Sequence, residues 1–151
     1  MKGGKSFLFV ARWNSIMLDK IQLFFESKAY AVIGASTNRE KFGNKVLRCY
    51  IQNFKTVYPV NHKEAFIEGL ACVKEVEDLP ESVKSISIIT PPLVTEQIVE
   101  EAIQKSIKNI WMQPGAESEV AIRSCLKNKI NVLANGPCIL IELGFVDSVN
   151  H

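Results

Sequence analysis

The chain has 151 residues, of which 47% are hydrophobic, enough to build one globular domain around a buried core. Eighteen basic against sixteen acidic residues leave a net charge of +2, scattered rather than striped, which argues against a nucleic-acid binder. No run of 18 apolar residues occurs, so no membrane span is expected and the protein reads as cytoplasmic.

Residues 1–14, "MKGGKSFLFVARWN", read as a disordered or variable extension. Their lysines and Arg12, with no acid, leave a weak organellar targeting segment open, but "FLFVA" is too short for a secretory signal. From Ser15 to Ser27, Ile16, Met17, Ile21, Phe24 and Phe25 recur at helical spacing. "YAVIGAS" is a buried strand running into a loop. Val46, Leu47, Tyr50, Ile51 and Phe54 then predict a helix from Gly43 to about Phe54, and "TVYPV" predicts a second strand ending near Val60. Between Asn61 and Pro80 the pattern is irregular, with a turn and a brief helix expected. "SISIIT" is a third strand, stopped by Pro91 and Pro92, and a helix follows from roughly Val94 to Ser106. "NIWMQ", a helix from Glu117 to Asn128, and "INVLA" complete the series, with Trp111 expected in the core.

Strands that are apolar throughout, alternating with helices, are expected when helices cover both faces of a parallel sheet. Right-handed crossovers then give a Rossmann-like, doubly wound parallel five-stranded sheet in three α/β/α layers, as a single domain over residues 15–151.

Cys49, Cys72, Cys125 and Cys138 are widely spaced, with no C-x-x-C pair, and His62 and His151 lie far from any cysteine cluster. No zinc site is expected, and reduced thiols are the plain reading. No Ser-His-Asp or Cys-His arrangement is evident, so no catalytic residue is assigned.

Ligands of such sheets bind beyond the carboxyl ends of the strands. Strand one ends in Gly34, Ala35, Ser36, Thr37, Asn38 and Arg39, then Lys41, before Gly43 and Asn44 open a helix. The dinucleotide fingerprint G-x-G-x-x-G is absent, because Ser36 and Arg39 hold the second and third glycine places. The longer loop suits a pyrophosphate wrapped by backbone amides at a helix start, with Gly43 allowing the backbone to approach phosphate. A plain connection with Ser36 as helix cap is the competing reading. Strand two ends in Val60 and Asn61 with Lys63 beyond, where an NAD site has a carboxylate for the ribose. A cation there fits a phosphorylated ribose, in NADP or coenzyme A, unless Lys63 is simply a solvated surface lysine. Strands three to five end in Thr90-Pro91-Pro92, Gln113-Pro114-Gly115 and Asn135-Gly136-Pro137-Cys138.

"AVIGAS…KFGNKV", "VYPVNHK", "SISIITPP" and "IWMQPGAES", in that order and spacing, resemble the stand-alone CoA-binding domain family. The chain is thereby similar in fold to the amino-terminal CoA-binding domain of the succinyl-CoA synthetase α subunit. The resemblance covers roughly Asp19 to Gly144. It implies that Ser36 to Arg39 meet the phosphates and pantetheine of coenzyme A, with Lys63 near the adenosine phosphate. It further implies that Thr90-Pro91 and Gln113-Pro114-Gly115 line the pantetheine side. No histidine matches the phosphorylated position of the synthetase's second domain. The expectation is a binding, sensor or regulatory protein for coenzyme A or an acyl-CoA, with a protein partner or homo-oligomer left open. Two alternatives remain: an NADP-binding oxidoreductase or redox sensor, and a ligand-free scaffold pairing through Trp111 or the helix at Ile16–Phe25. Cys138, on the rim, is the one thiol placed for a mixed disulfide with coenzyme A, a quiet structural thiol being the plainer alternative.

Overall fold

The structure is a computed structural model that describes residues 13–147. Most of the expected amino-terminal extension, and His151, lie outside the described residues. Trp13 and Asn14, assigned above to the extension, take part in the fold. Trp13 Nε1 donates to Glu142 Oε2 at 2.8 Å, and Asn14 Oδ1 accepts the Met17 amide at 2.8 Å. That side-chain cap starts α1, Ser15–Phe24.

The further elements are β1 (Ala29–Ile33), α2 (Phe42–Gln52), β2 (Val57–Val60), β3 (Phe66–Ile67), β4 (Leu70–Ala71), a short 3-10 turn (Val76–Asp78) and β5 (Val83–Ile88). They are followed by α3 (Pro92–Gln104), β6 (Asn109–Met112), α4 (Glu119–Lys127), β7 (Asn131–Leu133) and α5 (Ile139–Glu142). Five strands form one sheet in the order β2-β1-β5-β6-β7, with every neighbouring pair parallel. The fold is α/β and Rossmann-like, as the alternation of elements predicts. The antiparallel pair β3–β4 stands apart, in the stretch that reads as irregular in the sequence.

Pleating sorts each strand between two cores. Tyr30, Val32, Trp111 and Leu133 face Ile21, Phe24, Val46, Leu47 and Tyr50 of α1 and α2. Ala31, Ile33, Ile86, Ile88, Ile110 and Met112 face Val99, Ala102, Ala121 and Cys125 of α3 and α4. Trp111 is wholly buried and donates its indole N–H to Pro137 O at 3.0 Å, so the route to a partner through Trp111 is closed. The two serines inside β5 are buried without loss, because Ser85 Oγ donates to Phe24 O and Ser87 Oγ pairs with Tyr50 Oη, both at 2.7 Å.

Pro91 and Pro92 do more than stop a strand. Helix α3 begins at Pro92, two residues earlier than the sequence pattern predicts, because proline in the first turn gives up an amide that has no helical partner anyway.

From β1 the chain crosses through α2 to β2 on one side, while β5 lies on the other side of β1. The strand order reverses there. A crevice opens between the carboxyl ends of β1 and β5.

Candidate functional site

Loop one leaves β1 at Gly34, whose φ of +98° suits glycine alone. A Cβ on Gly34 would lie 2.1 Å from Ile89 O, and one on Gly43 would lie 2.0 Å from Gly34 O. The loop therefore starts pressed against β5 and returns to press the first turn of α2 against its own beginning. Gly43 is a packing residue. Sequence spacing hides the resemblance to the fingerprint glycines, yet two of their jobs, a tight turn and close packing of helix on strand, are done here by Gly34 and Gly43.

Between them the loop is held by its own polar atoms. Ser36 Oγ accepts the Asn38 amide at 3.0 Å and Asn38 Oδ1 accepts the Glu40 amide at 2.9 Å. Ser36 is thus not the cap of α2. Lys41, at the cap position of α2, makes no side-chain capping bond, unlike Asn14 and Ser118, which cap α1 and α4. The first amides of α2 can therefore serve an anion, beside the exposed side chains of Thr37, Arg39 and Lys41.

Beneath the loop lies a polar network that the sequence does not announce. Asn44 is wholly buried, its Nδ2 donating to Ser36 O (2.8 Å) and Glu68 Oε2 (2.9 Å). Buried Arg48 donates from Nε to Asn44 Oδ1 (2.6 Å), from Nη2 to Arg39 O (2.9 Å) and from Nη1 to Asp147 Oδ1 (3.1 Å). Arg39 itself donates to Glu68 Oε1 at 2.6 Å. The Nη1 bond from Arg48, with help from Lys45, holds the Asp147 carboxyl below the usual carboxylate range. Asn44 is thereby a support for loop one, with no surface of its own for a ligand.

Glu68 corrects an expectation. No carboxylate stands at the end of β2 itself, but the β3–β4 hairpin swings one against loop one. Its turn residues Glu68 and Gly69 both have positive φ, 51° and 80°, as a type I′ turn requires. The sequence signal was "FIEGLA", two short apolar pairs around Glu-Gly.

At β2, Val60 is buried and Asn61 ties the rim together. Its Nδ2 donates to Ala35 O at 3.0 Å, while its Oδ1 accepts the amides of Lys63 and Glu64 at 2.8 and 3.0 Å. Lys63 is exposed just outside.

Across the strand-order reversal lies a cleft of about 390 Å³, lined by Phe42, Ile89, Thr90, Pro91, Pro114, Gly115, Ala116 and Cys138. Thr90, Pro91, Pro114 and Gly115 are brought together as anticipated, and Cys138 joins them. Phe42 is new, and links this cleft to the start of α2. Gln113 does not reach the cleft surface. It is wholly buried, its Oε1 accepting the Ile139 amide at 3.1 Å while Nε2 has no partner. A larger hollow of about 640 Å³ lies at the opposite, amino ends of the strands, among Lys28, Lys84, Lys108 and Lys129. It is distant from the loops where such sheets place ligands, so the smaller cleft is the candidate site.

The cysteines differ in setting. Burial pushes the thiols of Cys49 and Cys125 up to about 12, the charge of Cys138 adding to the effect on Cys49. No cluster of three or more metal-ligating side chains occurs among the described residues, and none of their helices is long and apolar enough to cross a membrane.

The profile of the family described as the CoA binding domain matches residues 28–144. An ADP-forming acetate–CoA ligase of Methanocaldococcus jannaschii is 31% identical over 107 residues, covering 71% of this chain and 15% of the ligase. The chain thus spans a small part of that relative's length. Among solved structures, a conserved hypothetical protein from Pyrococcus furiosus superposes with a TM-score of 0.72 at 38% identity, over 76% of this chain and 98% of its own. A hypothetical protein from Pyrococcus horikoshii OT3 gives 0.76 at 28% identity, over 82% and 87%.

Proposed function

The chain belongs to the CoA-binding domain family, and from that premise we propose that it binds coenzyme A or an acyl-CoA across the carboxyl ends of β1 and β5. The observation that carries the proposal is the union of two unlike surfaces at one strand-order reversal. On one side is the uncapped start of α2 with Arg39 and Lys41 nearby, suited to a diphosphate. On the other is the cleft between Thr90-Pro91 and Pro114-Gly115, shaped for a slender, largely apolar arm. Phe42 joins the two, so one extended ligand spans both. Lys63, outside β2, is the residue proposed to meet the phosphate on the ribose. On this reading the protein acts by binding, as a sensor, carrier or regulatory component.

The curated ligase relatives favour a second reading, in which the domain serves coenzyme A to a ligase whose other parts are separate chains. Native mass spectrometry of gently purified protein tests both. Retained coenzyme A on the free chain supports the first, and a co-purifying larger chain with ligase activity supports the second. Retained NADP, or calorimetry in which NADPH binds more tightly than coenzyme A, overturns the CoA assignment.

A further inference from the structure

We infer that the segment from Gly144 to Asp147 is a strap whose seating on α2 sets the order of loop one, and with it the affinity for a phosphate-bearing ligand that the strap does not touch. The effect on the ligand rests on the reading that loop one seats the diphosphate. The effect on loop one does not.

Gly144, at a φ of +75°, turns the chain back after α5, and the Phe145 amide closes the turn on Leu140 O at 2.7 Å. The next three residues run along one face of α2, formed by Lys45, Arg48 and Gln52 at helical spacing. The Gln52 carboxamide pairs with both backbone groups of Val146, donating from Nε2 to its carbonyl at 2.7 Å and accepting its amide at 3.0 Å. Arg48 lies over the Phe145 ring, 5.1 Å from its centre, and donates from Nη1 to Asp147 Oδ1 at 3.1 Å. Lys45 Nζ reaches Asp147 Oδ2 at 3.3 Å.

The same guanidinium carries loop one. Its Nε and Nη2 hold Asn44 Oδ1 and the Arg39 carbonyl, and Asn44 in turn holds the Ser36 carbonyl. A guanidinium is planar and rigid, so one edge cannot move while the other stays. Both ends of the loop thus hang from a side chain whose other partners, the Phe145 ring and Asp147, belong to the strap. That strap is thin. Val146 and Asp147 are exposed, and the bonds to Gln52 lie at the surface. Such segments open at lower cost than core strands do. An open strap leaves Arg48 without its outer partners while the sheet stays folded, and loop one keeps only the hold of Glu68 on Asn44 and Arg39.

Gln52 is the residue on which to test this. It stands in the last turn of α2, about 15 Å along the helix from Phe42, and its side chain bonds Val146 and no residue of loop one. Full-length Gln52→Ala, and the double variant Gln52→Ala/Asp147→Ala, are compared with the parent by hydrogen exchange without ligand. The amides of Asn38, Glu40 and Lys41, bonded within loop one, report its order. They should exchange about 10-fold faster in Gln52→Ala and faster still in the double variant, with β5 and β6 unchanged. Calorimetry should show coenzyme A bound about 5-fold more weakly by Gln52→Ala. Faster exchange confined to residues 145–147, or an equal rise in loop one and the core strands, overturns the inference. A looser loop one with full coenzyme A affinity overturns the effect on the ligand alone. A parent protein that binds no coenzyme A overturns the site reading, while the exchange rates still decide whether strap and loop are coupled.

Discussion

At loop one the proposed ligand surface is backbone held by backbone, whereas at the thiol end it is a rim of side chains around open space. Gly34 and Gly43 leave no room for a Cβ, and Asn44, Arg48 and Glu68 lock the loop from below. Gly115, at the other end, has a φ of +96° but nothing within 4 Å of its missing Cβ. The same residue type is thus used for close contact in one place and for chain direction in the other. The difference separates what the protein must keep in order to fold from what it can vary in order to select a ligand.

The sharpest way to break this comparison is to put a side chain on the glycine at each end. Gly43→Val should cost more than about 4 kcal/mol, because backbone lies where the new atoms must go and cannot swing aside. Gly115→Ala should cost about 1 kcal/mol, the backbone strain alone. Urea denaturation measures both. Equal midpoints would show that the Gly34–Gly43 contact relaxes freely and that the two ends are alike.

Arg48→Met comes next. Methionine fills much of the volume but leaves Asn44 Oδ1 and the Arg39 carbonyl without their donor, a loss of about 2 kcal/mol in stability. Weaker coenzyme A binding should accompany it, since loop one is then less well ordered. Unchanged stability together with unchanged affinity would detach the network from the loop.

Lys63→Ala addresses the outer edge. The lysine is exposed, so water and salt reduce its contribution to about 1 kcal/mol, close to a 5-fold loss of coenzyme A affinity. Dephospho-CoA should lose nothing. Calorimetry at low and high salt checks this, and a salt-independent effect, or an equal loss for dephospho-CoA, would show that Lys63 meets no phosphate.

The smallest effect concerns acid. The Asp147 carboxyl is held below the usual range, chiefly by the hydrogen bond from Arg48 and then by that from Lys45. A folded value below the unfolded one means a contribution present at neutral pH and lost as pH falls through the folded value. Asp147→Asn should therefore flatten the acid limb of stability between about pH 5 and pH 2. Denaturation curves that keep the parent's pH dependence would show that the pair is no more than a surface contact.

Much of this was legible before any coordinates, and the rest was hidden for physical reasons. Continuous apolar runs such as "YAVIG" mark strands covered on both faces, so the sheet and its rim follow from the pattern. Thr90, Pro91, Pro114 and Gly115 line one cleft because the loops of parallel strands all end on one edge. Glu68 escaped because a two-residue strand has no period to recognise. Asn44 and Gln113 look like ligand contacts in a row of letters, and only the fold shows that they face inward and work through their neighbours. The packing contact of Gly43 is hidden for a related reason, since the atom it must avoid belongs to Gly34, nine positions earlier.

The contact between Gly34 and Gly43 contains no ionisable atom. Its geometry is set by excluded volume, which neither titrates nor responds to electrolyte. That contact, which frames the proposed seat for a diphosphate, should therefore keep its shape across acidity and ionic strength, while the electrostatic field around it, supplied by Arg39, Lys41 and Lys63, fades as salt is added. Salt would slow the capture of a ligand far more than it would alter the pose the ligand finally takes.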